Sequence, residues 1–466
     1  MSVTESLPGA RAPDPAEPPL ARAAVPGHEQ ARGWLRLALG SLLIGGALSL
    51  MLVVSRIPGM TRFIDAPLVA KKSLVIHVNL VLTCWFLAFL AALFSMIPGR
   101  RQSRWPIRIA LGGIALFAVS GMLPSAVPIL CNYVPVLDEP IFLVGLGVFG
   151  VGVALALFDP ERLLGHGVAP EGPPFLSAAA MLGLRIAAWI AALGALVFAS
   201  GAWFTPRAGD HHSYFESVFW GGGHVFLFVF VAAMLVVWIL LVREATGACP
   251  LQRPALARLV FGLVLLPALP GLWLLGKTPT DAGFYSVPTE MMRWGTWLAP
   301  ALTLLLSARA LLQARAQGRL RTTPSVPAFL VSVTLLVLGI GLGIFITRSS
   351  TLVPAHYHAT VGAVTVALMG MTHVFLDALG LARLDDKAQR WARHQPLIFG
   401  LGQVGFVCGY AYAGVHGLGR KVYGSEQLVR SVEQTVGLAV AGTGGAFALV
   451  GGALFFVLVL RRWRAR

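Results

Sequence analysis

The chain has 466 residues, of which 56% are hydrophobic and only 12% are charged, and its mean hydropathy is +0.76. A soluble domain carries about a quarter charged residues, so this composition predicts an integral membrane protein and excludes an ordinary soluble enzyme. The net charge of +16 lies mostly in short loops between apolar segments, where Lys and Arg set the orientation of membrane helices. We therefore expect no nucleic acid among the partners.

Twelve apolar segments are long enough to cross a bilayer, which takes about 20 predominantly apolar residues. They lie near residues 33–54, 73–98, 105–128, 139–158, 176–204, 214–242, 255–276, 288–314, 326–347, 355–381, 395–417 and 435–460. The sequence thus predicts an all-α polytopic membrane protein of about twelve transmembrane helices, with the fourth as the shortest.

The ends of the chain differ from this membrane domain, which spans residues 33–460. Residues 1–32 are rich in Pro, Ala, Glu and Arg and are predicted to form a disordered cytoplasmic tail. Residues 461–466 form a short basic tail. Alternate loops are strongly basic and the basic side of a membrane protein is cytoplasmic, so both termini are predicted to lie inside. Segments 2, 6, 10 and 12 then run inward from the outer face.

Four histidines map to the outer half of the predicted membrane domain. His77 lies near the start of segment 2, His224 lies about ten residues into segment 6, and His356 and His358 open segment 10. A histidine inside a membrane is costly and usually functional. A single one is as readily explained by packing, but four in one layer favour a shared site. Neutral imidazole is a good ligand for haem iron and for copper.

His356 and His358 stand two residues apart in the sequence AHYH. On a helix these positions differ by about 200°, so the two imidazoles point to nearly opposite faces and are poorly placed to share one metal ion. Each can instead bind an iron on its own side of the helix. If His77 supplies a second ligand on one side, that iron has no open position, whereas the other iron keeps a free position for a small gas molecule.

Two stretches carry a resemblance to a known family. AHYHATVGAVTVALMG, residues 355–370, and YFESVFWGGGHVFLF, residues 214–228, resemble the catalytic subunit of the haem–copper oxidase superfamily, cytochrome c oxidase subunit I, near its cbb3-type and nitric-oxide-reductase-like branches. The resemblance spans nearly the whole chain. It implies a low-spin haem ligated by His77 and His358, and a high-spin haem ligated by His356.

The resemblance also implies a second metal, copper or non-haem iron, at His224, but one part of the family pattern is missing. The family places two adjacent histidines near the outer end of helix 7, whereas residues 274–295, LLGKTPTDAGFYSVPTEMMRWG, contain none. One histidine is a poor copper site, so copper in the family manner is doubtful. Lys277 falls about where the pair belongs. It either replaces the missing positive charge beside a haem-bound ligand or lies at the membrane surface.

Other residues are candidates for this altered site. Glu216, two turns before His224, and Tyr285 are candidates for a catalytic, ligand or structural role. His211 and His212 precede segment 6 in a predicted outer loop, where they either fold toward the site or remain at the surface.

A basic pair, Arg420 and Lys421 in GLGRKVYG, resembles the pair that holds the haem propionates in the family. It lies between segments 11 and 12, on the predicted outer side, where charge-assisted bonds to carboxylates are needed. The four cysteines form no CxxC motif, so no covalently attached haem c is encoded.

The resemblance implies a terminal respiratory oxidoreductase in a bacterial-type inner membrane. Electrons would pass through the low-spin haem to the high-spin haem, which reacts with O2 or a nitrogen oxide. Two alternatives stay open: a nitric-oxide-converting enzyme with an altered or empty second metal site, and a non-catalytic haem protein for electron transfer, sensing or assembly. The expected partners are the lipid bilayer and an electron donor, either a separate subunit or a soluble cytochrome c or cupredoxin.

Overall fold

The computed structural model of the protein describes residues 28–56, 66–99, 103–165, 175–207 and 209–464. Its architecture is a bundle of twelve apolar helices, as predicted. They are α1 (His28–Val54), α2 (Pro67–Phe94), α3 (Trp105–Ser120), α4 (Pro140–Leu157), α5 (Ala178–Phe204), α6 (His211–Thr246), α7 (Pro254–Leu274), α8 (Ser286–Ala316), α9 (Ser325–Ile344), α10 (Leu352–Ala378), α11 (Asp386–Val415) and α12 (Val432–Arg464). A five-residue helix, Pro160–Leu164, follows α4.

Eleven of these helices are long and apolar enough to cross a membrane, and α3 is a shorter apolar helix. The expectation that the fourth helix is the shortest was wrong, because α3 has 16 residues and α4 has 18. Helix α3 is short because the chain leaves it after Ser120 to form a β-hairpin, which occupies part of the sequence assigned to the third segment.

The predicted tails are only partly described. Residues 1–27 and 465–466 lie outside the described residues. Residues 28–32, assigned to the disordered tail, instead form the first turns of α1, and Arg461 to Arg464 continue α12. Both corrections have the same reason: helices extend beyond their apolar part, and a polar or charged residue does not by itself end them.

The three helices that carry the four histidines are the most buried in the bundle. In their most apolar stretches, 67% of α2, 78% of α6 and 89% of α10 is buried, against 56% or less for every other candidate span in the described residues. All three begin at the end of the bundle where α1 finishes, which we call the histidine end. The central position of these helices places the histidines inside the bundle.

A two-stranded hairpin covers the histidine end. Strand β1 (Val127–Ile129) pairs antiparallel with β2 (Val136–Asp138), with Ile129 opposite Val136. The connecting residues 130–135 point into the bundle: Asn79 of α2 donates a hydrogen bond from Nδ2 to the carbonyl oxygen of Pro135, at 2.8 Å. This inserted segment, which we call the hairpin loop, contacts the site described next.

Candidate functional site

His77 is held on α2 by the neighbouring helix α1. Its Nδ1 lies 2.8 Å from the carbonyl oxygen of Gly45. A carbonyl only accepts hydrogen bonds, so Nδ1 carries the proton and Nε2 keeps its lone pair. This backbone bond is the usual support of a metal-ligating histidine. Two residues after His77, α2 widens into a π-helical segment, Asn79–Cys84, a distortion that is frequent at functional sites.

His356 and His358 contact different helices, as expected for positions i and i+2. The Nδ1 of His356 lies 2.7 Å from the carbonyl oxygen of Gly339 on α9, so its Nε2 also keeps the lone pair. His358 lies on the side of α11, where its ring centroid is 4.4 Å from that of Phe406, and it is near enough to His77 for a charge on one ring to affect the other. The structure therefore brings His77 and His358 together and directs His356 elsewhere.

His224 differs from the other three histidines. Its side chain is buried, with 1% of the residue exposed, and both ring nitrogens are engaged. Nδ1 lies 2.7 Å from the carbonyl oxygen of Trp220 and Nε2 lies 2.6 Å from the hydroxyl of Tyr133 in the hairpin loop. His77, His356 and His358 are only half-buried, and no hydrogen bond occupies their Nε2 atoms within the described ranges. The Nε2 atoms of three histidines are thus without a hydrogen-bond partner in the described residues, whereas Nε2 of His224 has one.

A second metal does not fit these residues. Within the part of the chain that the structure describes, no group of three or more His, Cys, Asp or Glu side chains is arranged to hold a metal ion. At the histidine end, α7 finishes in a 3-10 turn, Leu269–Leu274. Pro267 lies in the last α-helical turn before this segment and Pro270 lies in its first residues, and because prolines lack an N–H they weaken the α-helix there.

The side chains beside His358 have the apolar and cationic chemistry that a haem needs. Phe406 and Tyr410, which pack near His358, also line a small cavity together with Arg56. Arg56 is 5% exposed, lies over the rings of Tyr410 and Tyr423, and has two buried donors, Nε and Nη1, without a hydrogen-bond partner in the described residues. Buried guanidinium donors need hydrogen-bond acceptors, and a haem carboxylate would supply them.

The predicted propionate pair, Arg420 and Lys421, reaches the hairpin loop. Arg420 Nη1 donates to Asn132 Oδ1 at 3.1 Å, and Lys421 Nζ donates to the carbonyl oxygen of Leu130. Burial, followed by the charge of Arg420, lowers the pKa of Lys421 from 10.5 to about 8, against the opposing effect of Glu216. The hairpin loop therefore positions this pair, and the charge of Glu216 acts on Lys421.

Glu216 anchors the hairpin loop to α6. Its carboxylate accepts hydrogen bonds from the backbone N–H of Asn132 at 2.8 Å and from Asn132 Nδ2 at 2.6 Å. Tyr133, the next residue, has a backbone φ of 59°, in the left-handed region that non-glycine residues rarely adopt. Burial, with the neighbouring Tyr357 and Glu216, raises the pKa of the Tyr133 hydroxyl well above its ordinary value of 10.0. Glu216 thus holds Tyr133 against His224.

Tyr285 and Lys277 occupy the edge of this region. The hydroxyl of Tyr285 lies 2.9 Å from Ser217 Oγ, and its backbone carbonyl accepts from Trp220 Nε1 at 3.2 Å. Lys277 follows α7, and its Nζ lies 5.1 Å from the centroid of the Trp273 ring, which is 40% exposed. Within the described ranges no contact joins Lys277 to His224. Lys277 itself is half-buried.

His211 and His212 were expected in a loop but lie in the first turn of α6. Asp210 starts the helix there because its side chain accepts a hydrogen bond from the backbone N–H of Ser213. His211 pairs with Asp138 of β2 and is exposed, so it does not fold toward His224.

The comparisons with known proteins agree with this geometry at the level of the fold. No protein-family model matches the chain. An uncharacterized protein of Aquifex aeolicus is 27% identical over 349 residues, covering 74% of this chain and 84% of that protein, and the uncharacterized protein RP382 of Rickettsia prowazekii is 23% identical, covering 91% and 94%. A heme-copper terminal oxidase dimer solved by cryo-EM matches with a TM-score of 0.77 and 17% identity, over 95% of this chain and 85% of that chain. The chain has the haem–copper oxidase fold.

Proposed function

We propose that the chain is a membrane haem oxidoreductase with two haems, a closed one between His77 and His358 and an open one on His356. The observation that carries this proposal is the state of the three histidines: each is half-buried with a free Nε2, and two have Nδ1 fixed by a backbone carbonyl. Bound haem supplies one-electron transfer and, at an iron with an open position, a binding place for O2 or a nitrogen oxide.

The chain's own residues have distinct roles in this function. The Gly45 and Gly339 carbonyls fix the tautomer and orientation of His77 and His356, which raises the basicity of the ligating nitrogens. Arg56 holds a haem carboxylate at the closed site, and the Arg420–Lys421 pair holds carboxylates nearer the hairpin loop.

The orientation and the partner belong to the same proposal. With both termini in the cytoplasm of a bacterial-type cell, the histidine end faces outward, and a separate cytochrome c, cupredoxin or donor subunit delivers electrons there. The altered environment of His224 favours a second candidate function: conversion of nitric oxide at an iron-only site, or electron transfer without catalysis.

Haem analysis of the purified chain and of histidine variants tests the assignment. We expect two haems per chain, loss of one haem in His77→Ala and in His358→Ala, and loss of the other in His356→Ala. His416→Ala is the matched control, because His416 is exposed and lies at the end of α11, and it keeps both haems. A preparation of folded chain without haem contradicts the proposal.

A further inference from the structure

The hydrogen bond between Tyr133 and His224 has a defined direction. The carbonyl oxygen of Trp220 accepts from His224 Nδ1, so Nδ1 carries the imidazole proton and Nε2 is an acceptor. The Tyr133 O–H, 2.6 Å away, therefore donates to Nε2. This Nε2 lone pair is the one a metal ion would use. The phenol and a metal compete for the same electrons.

The backbone around Tyr133 is built to keep the phenol in place. Its left-handed φ of 59° is unfavourable for a tyrosine, and such strain persists only where the surroundings enforce it. The flanking residues do so: Glu216 binds Asn132 twice, Lys421 binds the carbonyl of Leu130, and Asn79 binds the carbonyl of Pro135. Three elements of the bundle thus hold the hairpin loop on both sides of Tyr133.

Helix α6 is shaped to receive the tyrosine ring. Residues 221–223 are three consecutive glycines. A Cβ atom on Gly223 would lie 2.4 Å from Cγ of Tyr133, closer than any real contact. The ring centroids of Tyr133 and His224 are 4.4 Å apart. The glycine at 223 therefore allows the tyrosine to reach the histidine beside it.

We propose that Tyr133 takes the place of the second metal at His224, so that this chain has no copper or non-haem iron site and works with haem iron alone. A neutral phenol–imidazole pair then occupies the position, and the site binds one diatomic molecule, at the haem of His356. The binding of a diatomic molecule depends on the function proposed above. The closure of His224, by which we mean that Tyr133 occupies its Nε2 in place of a metal, does not.

Metal binding to the full-length protein tests the closure of His224. After incubation with Cu(I) or Fe(II) and removal of free ions, we expect no bound metal beyond the haem iron. One copper or non-haem iron per chain that is lost in His224→Phe overturns the proposal. In the oxidised holoprotein we expect an uncoupled high-spin ferric signal in electron paramagnetic resonance. If this ferric signal is absent and appears only in His224→Phe, a second metal is magnetically coupled to the haem iron, and the proposal is also overturned.

Infrared spectroscopy of protein with isotope-labelled tyrosine rings tests the hydrogen bond itself. We expect one phenol C–O band that disappears in Tyr133→Phe, shifts in His224→Phe, and stays unchanged in Tyr412→Phe, which removes an exposed phenol. A Tyr133 band that is insensitive to His224→Phe contradicts the proposal. A preparation without haem contradicts the proposed function only, because the infrared and metal-binding measurements still decide whether Tyr133 closes His224.

Discussion

The Nδ1 atom of His356 lies 2.7 Å from the carbonyl oxygen of Gly339, so helix α9 fixes the imidazole that we assign to the open haem. The two helices approach closely at this point because residue 339 has no side chain: a Cβ atom there would lie 2.5 Å from Cγ2 of Thr360 on α10.

Gly339→Ala is therefore expected to push α9 away from α10 and to break the hydrogen bond to His356. Overpacking of this kind costs about 1–3 kcal/mol of stability. We expect CO binding to fall while the haem held by His77 and His358 is retained, as measured by the CO difference spectrum and by haem content. Gly341→Ala is the control, because a Cβ atom there meets nothing within 4 Å. Equal CO binding in both variants counts against the role of Gly339.

Replacement of Arg56 tests the carboxylate role of its buried guanidinium. In Arg56→Met the haem carboxylate loses a charge-assisted hydrogen bond worth about 2 kcal/mol. We expect the haem between His77 and His358 to dissociate at least about tenfold faster, measured by transfer to a haem-scavenging protein. Arg430→Met removes an exposed arginine of the loop between α11 and α12 and should leave the rate unchanged. Identical rates in the two variants would refute the assignment.

The lowered pKa of Lys421 predicts that the protein becomes more stable in alkaline solution. Its pKa is lowered from 10.5 to about 8 in the folded protein, so between these values the unfolded chain binds more protons than the folded one. Stability then increases as the pH rises from about 8 to 10.5. Thermal unfolding of the haem-free protein in detergent across this range should show the increase, because bound haem carboxylates would raise this pKa, and Lys421→Met should remove it. Arg420→Gln should narrow the pH range over which stability rises, because the Arg420 charge contributes to lowering the pKa of Lys421.

Arg462 is expected to stabilise the opposite end of the bundle. Its side chain is 3% exposed, pairs with Asp377 at 2.5 Å, and donates to the carbonyl oxygens of His373 and Ala382. Arg462→Met leaves the two carbonyl oxygens unpaired and should cost about 2 kcal/mol, measured as a lower thermal unfolding temperature. Arg461→Met, at an exposed position, should have little effect. A similar loss in both variants would assign the effect to general charge at the end of α12.

The sequence was sufficient to predict the fold because each apolar segment specifies a helix on its own. The spacing of His356 and His358 also predicted that they point to different sides of α10, since helix geometry alone determines this. Contacts between residues far apart in the sequence could not be predicted in this way. Arg56 lies beyond the end of α1, and its position over Tyr410 and Tyr423 depends on how α1, α11 and the following loop pack.

Tyr133 could not be assigned from the sequence for the same reason. The chain around it reads VPILCNYVPVL, residues 127–137, and two short apolar runs around a polar turn are a hairpin signal. That signal predicts neither that the loop enters the bundle nor that it meets α6. The sequence therefore shows that residues 274–295 contain no histidine, but it does not show that Tyr133 contacts His224.

The ratio of bound CO to haem in the reduced, purified protein tests the central claim most directly. One closed haem between His77 and His358 and one open haem on His356 predict two haems and one CO per chain, with CO binding lost in His356→Ala and the closed haem retained. No CO binding, or CO bound at both haems, would contradict the assignment of one closed and one open iron.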